Sequence, residues 1–138
     1  MKIIGHKWIA SEKFVNVDWS HQMTDSVEAF IHSKIVTSPA GSIIIFSDLA
    51  RSIEWVQYCR EQGLPFALST DSITETLLVH QLGAKYIIAG ASMVSEIQQI
   101  AQHYLFDTEI LVAIESDKDI KKYAKLGIDG VIFSSAIL

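Results

Sequence analysis

The sequence predicts an α/β fold of repeated βα units, with six to seven mostly parallel strands forming a partial or half (β/α) barrel. Three observations lead there. Helix-like stretches run through a Gly or a polar break straight into four apolar runs: Gly63-Leu64-Pro65-Phe66-Ala67-Leu68, Gly83-Ala84-Lys85-Tyr86-Ile87-Ile88, Phe106-Asp107-Thr108-Glu109-Ile110-Leu111-Val112 and Gly127-Ile128-Asp129-Gly130-Val131-Ile132-Phe133. They recur at intervals of roughly 20–24 residues, the length of one βα unit. The runs are continuous rather than alternating, as expected of parallel strands covered on both faces. Strands alternating with helices in this way imply right-handed crossovers.

The elements follow in order. Lys2-Ile3-Ile4 and Phe14-Val15-Asn16-Val17 are short strand candidates in the less regular part, residues 1–41. Thr24 or Asp25 can cap a helix through Val27, Phe30 and Ile31, which ends before the breaker cluster Ser38-Pro39-Ala40-Gly41. From residue 42 to 138 the repeats are regular. Ile43-Ile44-Ile45-Phe46 reads as a buried strand, and Asp48 opens a helix through Ile53 and Val56 to Gly63. Phe66-Ala67-Leu68 precedes a helix from Ser72 to Leu82; Tyr86-Ile87-Ile88 precedes one from Ser92 to about Tyr104. Ile110 to Ile114 precedes a helix from Asp117 to Leu126, and Val131-Ile132-Phe133 is the last strand. Ser72-Ile73-Thr74-Glu75 and Ser116-Asp117-Lys118-Asp119 resemble capping boxes. Gly, or a polar break, takes the C-terminal cap position, where a positive φ is needed.

Composition bounds the function. The 138 residues make one domain able to bury its own core, with 49% hydrophobic and 20% charged residues. A net charge of −5 and no Lys/Arg cluster argue against nucleic acid. No run is long enough for a membrane span and no signal peptide is recognisable, so a soluble cytoplasmic protein without membrane partners is expected. A single cysteine, Cys59, excludes an internal disulfide and reads as a buried structural thiol. His6, His21, His32, His80 and His103 form no metal-ligand pair, and His21 beside Asp18 and Trp19 stands out only for lying in irregular chain. Trp8, Trp19 and Trp55 are expected in core or interface. No Gly-x-Gly-x-x-Gly, Walker loop or Gly-x-Ser-x-Gly elbow occurs.

Ligands of parallel βα folds bind beyond the C-terminal ends of the strands. Those ends are Ser47 and Asp48, Ser69, Thr70 and Asp71, Gly90 to Ser92, Glu115 and Ser116, and Ser134 and Ser135. The hydroxyls suit an anion such as phosphate, while Asp48, Asp71 and Glu115 oppose one unless Mg²⁺ lies between them. Ser, Thr and Asp are also the preferred helix N-cap residues, and these lie just before a helix or at a strand exit.

The C-terminal seventy residues resemble the later βα units of phosphate-binding (β/α)8 barrels, of the indole-glycerol-phosphate synthase and ketohydroxyglutarate/ketodeoxyphosphogluconate aldolase types. The likeness is carried by Leu82-Gly83-Ala84-Lys85-Tyr86-Ile87-Ile88 and by Ala124 to Ala136, in which Leu126 to Ile132 echoes the first segment 44 residues on. It implies barrel geometry and a phosphorylated substrate. The aldolase Schiff-base lysine, however, matches Ile132, and the synthase-type carboxylate matches Ser69. Ser134-Ser135-Ala136 stands where a phosphate-gripping glycine is usual. The likeness favours the barrel; the chain length favours a flavodoxin-like doubly wound sheet, which remains the alternative. A half barrel exposes its inner face and is expected to form a homodimer. Three functions follow as expectations: a module binding a phosphorylated small metabolite without lysine chemistry, a metal-assisted aldolase or lyase, and a protein–protein module. No catalytic constellation is recognisable. No cofactor is expected beyond Mg²⁺.

Overall fold

The computed structural model describes residues 1–17, 26–37 and 39–138, and within 27–37 the side chains of residues 29 and 31–35. The expectations attached to Asp18, Trp19, His21, Thr24 and Asp25 lie outside those residues.

Seven strands form one parallel sheet: β1 Lys2–Ile4, β2 Phe14–Asn16, β3 Ile43–Ser47, β4 Phe66–Ser69, β5 Tyr86–Ala89, β6 Glu109–Ile114 and β7 Gly130–Phe133. Among the described residues five helices accompany them: α1 Val27–Thr37, α2 Leu49–Glu61, α3 Ile73–Gln81, α4 Val94–His103 and α5 Ile120–Lys125. The strand order is β1-β7-β6-β5-β4-β3-β2, so each strand from β2 to β7 lies beside its successor and β1 docks beside the last.

The sheet is curled. In a flat sheet β2 and β5 would stand about 14 Å apart, three strand spacings. Instead the Phe14 ring of β2 lies 5.6 Å from the Tyr86 ring of β5, and Lys2 of β1 donates to the Tyr86 hydroxyl at 2.8 Å. A residue of the middle strand thus touches both edges. Ile137 pairs with Phe14, and the Leu138 amide donates to the Phe14 carbonyl at 2.7 Å, so C-terminal residues fold onto the β2 edge. This is a partial (β/α) barrel, and the open doubly wound sheet is set aside.

Side-chain alternation divides the apolar residues into two cores. Ile4, Phe14, Ile43, Ile45, Ala67, Tyr86, Ile88, Leu111, Ile132 and Ala136 fill the concave side. Ile44, Phe46, Leu68, Ile87, Val112 and Val131 face outward, where helix residues such as Val56, Cys59, Val79 and Ile97 cover them. The inner face is therefore buried within one chain, and an uncovered inner face no longer supplies a reason to dimerise. Among the described residues no helix is long and apolar enough to cross a membrane.

Several local expectations change. The α4 N-cap is Met93 without a side-chain bond, so Ser92 does not cap it. A 3-10 turn over Asp117–Asp119 precedes α5, and the Ser116 hydroxyl accepts from Lys118 N rather than from residue 119. After α4 the left-handed position is held by Leu105, φ 54°, where Gly63, Gly83 and Gly127 serve the other turns. Trp8, expected in core or interface, is 80% exposed and so lies outside the core of this chain.

Candidate functional site

The barrel interior is packed through its middle and opens at the C-terminal ends of the strands. Ser69 and Ala113, inward by register beside Ile88 and Ile132, are exposed, while the inward residues below them on the same strands, Ala67 and Leu111, are buried. Two recesses flank the end of β6 there.

The first, about 480 Å³, is lined by Ser69, Thr70, Asp71, Ser72, Glu75 and Gly90 among others. Its polar groups are heavily committed. Asp71 Oδ1 accepts from the Gly90 amide at 2.6 Å, and a Cβ on Gly90 would lie 2.7 Å from that oxygen, so only glycine permits the bond. The expected capping box over Ser72-Glu75 is half formed. The Ser72 hydroxyl accepts from Glu75 N at 3.2 Å, but the Glu75 carboxylate turns elsewhere. It accepts from the Thr70 hydroxyl at 2.6 Å and from the Leu49 amide at 2.9 Å. Leu49 opens α2, so Glu75 caps a neighbouring helix and joins the loops after β3 and β4. The Ser69 hydroxyl and the remaining carboxylate lone pairs are left for a ligand's hydroxyl groups.

The second recess, about 470 Å³, is lined by His6, Lys7, Glu115, Asp117, Lys118 and Ser135 among others. The His6 ring is held on both nitrogens. Nδ1 accepts from the Trp8 amide at 3.1 Å, which places the proton on Nε2, 3.2 Å from each Asp117 carboxylate oxygen. Phe133 meets the ring edge-on at 5.6 Å. With both nitrogens engaged, His6 positions a loop and is no free general base. Ser134 donates to Glu115 at 2.7 Å. Lys7, Lys118 and the Ser135 hydroxyl remain for an anion.

The structure thus brings together Ser69, Thr70 and Asp71 in one recess, and Glu115 with Ser135 in the other, where Ser134 bonds Glu115. Ser47, Asp48 and Ser92 line neither. Asp48 adopts φ 54° and caps Arg51 N at 3.4 Å. The three carboxylates considered for Mg²⁺ have separate partners, and among the described residues no three metal-ligating side chains gather. His6, Lys7 and Asp117 join the second recess without being among the strand-end residues expected from sequence. The strand-end rule, applied to Lys2–Ile4, points straight at His6. Glu75 left no sequence signal beyond the capping box, because the Leu49 amide it caps comes from another loop.

The opposite rim is closed. Lys2 pairs with Glu109 at 3.1 Å and Lys85 with Glu12 at 2.6 Å, and the Tyr86 hydroxyl donates to Glu12 at 3.0 Å. Burial pushes the Glu12 carboxyl upward, but the bonds from Lys85 and Tyr86 outweigh it and hold the group below its ordinary range. The Tyr86 bond, against the opposing effect of burial and with help from Glu109, raises the Lys2 ammonium. Burial raises the Tyr86 phenol. Ile132 is fully buried in the inner core, and Lys85 sits before β5 at this closed rim, so neither offers an amine at the mouth.

No protein-family profile matches the chain and no curated protein matches it. NadC from Streptococcus pyogenes shares its fold at a TM-score of 0.50 and 15% identity, over 91% of this chain and 49% of that one. The chain therefore spans about half the length of that neighbour. The TrkA-N domain of the inner membrane protein ybaL from Escherichia coli aligns at a TM-score of 0.39 and 20% identity, over 90% of this chain and 88% of that domain. The narrower resemblance to the synthase and aldolase types rests on the sequence motifs alone.

Proposed function

We propose that the chain binds a phosphorylated small metabolite at the C-terminal mouth of its barrel, without forming a Schiff base. One observation carries this reading: the packed interior opens to solvent at that mouth, where two polar recesses adjoin the end of β6. The recesses differ in chemistry. Around Asp71 and Glu75 the Gly90 amide and the Thr70 hydroxyl are used, while carboxylate acceptor capacity and the Ser69 hydroxyl remain, which suits the hydroxyl groups of a sugar or polyol. Around Lys7, Lys118 and Ser135 cationic and hydroxyl donors remain, which suits the phosphoryl group. A phosphate alone would meet the Asp71 and Glu75 carboxylates in the first recess, and a neutral sugar would leave Lys7 and Lys118 without an anion in the second.

The reading is tested by thermal unfolding in the presence of sugar phosphates, the matching neutral sugars and inorganic phosphate. Sugar phosphates should raise Tm saturably and more than either fragment. Lys7→Ala with Lys118→Ala should abolish the advantage of the phosphate ester, and Asp71→Asn should weaken both sugar and ester. Equal response to all three compounds, or trapping of a carbonyl adduct by borohydride, contradicts it.

A further inference from the structure

A cavity of about 560 Å³ lies at the other end of the molecule, where α2 and α3 run into β4 and β5. Its volume is that of a small-molecule site. Arg60, Leu64, Phe66, His80 and Asp107 line it, with the Cys59 thiol buried in its wall.

His80 is fixed in a way a packing histidine does not require. Its ring stacks flat on Phe106, centroids 3.8 Å apart and planes 4° from parallel. Nδ1 lies 3.2 Å from the hydroxyl of Thr108, and that hydroxyl donates its only hydrogen to the Ala84 carbonyl at 2.7 Å. Thr108 can then only accept, so Nδ1 carries the proton and Nε2 keeps its lone pair. Thr108 is itself 3% exposed, so this relay is built into the fold. The result is an imidazole held in one tautomer with one nitrogen committed and the other unused.

The charges narrow the ligand. Lys85 is paired with Glu12 and Glu109 with Lys2. Among the described residues Arg60 and Asp107 have no ion pair, and both are exposed. A simple anion would suit Arg60 and be opposed by Asp107; a simple cation would meet the reverse. A zwitterion satisfies both. The carbonyl-rich C-terminal ends of α2 and α3 favour its ammonium, and the guanidinium plane favours its carboxylate. Leu64, Pro65 and Phe66 supply an apolar wall. We propose that this cavity is a second site, independent of the mouth, for an apolar α-amino acid: carboxylate on Arg60, ammonium between Asp107 and His80 Nε2, side chain against the wall.

The test is calorimetric titration of the full chain with L-phenylalanine and L-leucine, beside 3-phenylpropanoate and 2-phenylethylamine. Saturable binding of the amino acids is expected, weaker by at least about tenfold for each analogue. Arg60→Ala changes an exposed side chain, and His80→Phe keeps the ring stack while removing Nε2; each should weaken binding by about tenfold or more. Asp71→Asn at the mouth should leave it unchanged. No saturable binding at roughly 10 mM, equal binding of either analogue, or loss of binding in Asp71→Asn overturns the proposal. Sugar-phosphate binding at the mouth is scored separately and fails or survives independently.

Discussion

Glu75 is a single side chain with two structural obligations. It bonds the Thr70 hydroxyl and the Leu49 amide, and so couples the loops that frame the first recess. Glu75→Gln keeps one acceptor and loses the charge; it should cost about 1–3 kcal/mol in urea unfolding. It should also weaken ligand binding at the mouth more than Glu54→Gln, an exposed control on α2. Glu12 gives a pH signature. Its folded pKa is depressed below the ordinary 4.5 of a glutamate. Its contribution is therefore fully present above that value and is lost as pH falls through the lower folded one. The urea midpoints of the parent and Glu12→Gln should differ at neutral pH and converge below pH 4.5. Cys59 belongs to the same scale. Burial pushes its thiol up to about 11, in keeping with a structural thiol that carries no thiolate at neutral pH.

At the scale of the element, helix ends separate what is local from what is not. Gly63, Gly83 and Gly127 take positive φ after their helices, as a run of helix, Gly and strand suggests. The turn after α4 does the same work with Leu105, at a cost of about 1–2 kcal/mol for an L-residue in that region. Leu105 is 86% exposed, so little burial would be lost on replacing it. Leu105→Gly should raise stability by about 0.5–1 kcal/mol after the added freedom of the unfolded chain is counted. A fall in the urea midpoint would mean that the leucine makes contacts worth more than its strain. The capping box at Ser72 shows the opposite limit: its local half formed, and its carboxylate was drawn off by Leu49 N and Thr70. Sequence spacing locates a carboxylate that can cap, but not which helix receives it.

At the scale of the molecule, curvature is decided by a few long-range contacts. Tyr86 packs on Phe14, accepts from Lys2 and donates to Glu12, joining the middle strand to both edges. Tyr86→Phe keeps the packing and removes the hydroxyl; about 1–2 kcal/mol of stability should be lost. Amide exchange in β1 and β2 should accelerate more than in β4 and β5, because the edges lose their tie to the centre. Uniform acceleration would assign Tyr86 to the general core. The buried concave face also changes how assembly is argued: any association must use the exterior, since the interior is filled by the chain's own side chains.

Strand and helix positions and the parallel sense of the sheet were determined by residue pattern alone. They depend on periodicity, and periodicity is local. Which alternating face became a closed interior, which carboxylates were consumed by neighbouring amides, and that His6 would meet Asp117 across 111 residues were decided only in three dimensions. Those outcomes depend on the curl of the sheet, and curl is a sum of contacts between residues that no short stretch of sequence contains.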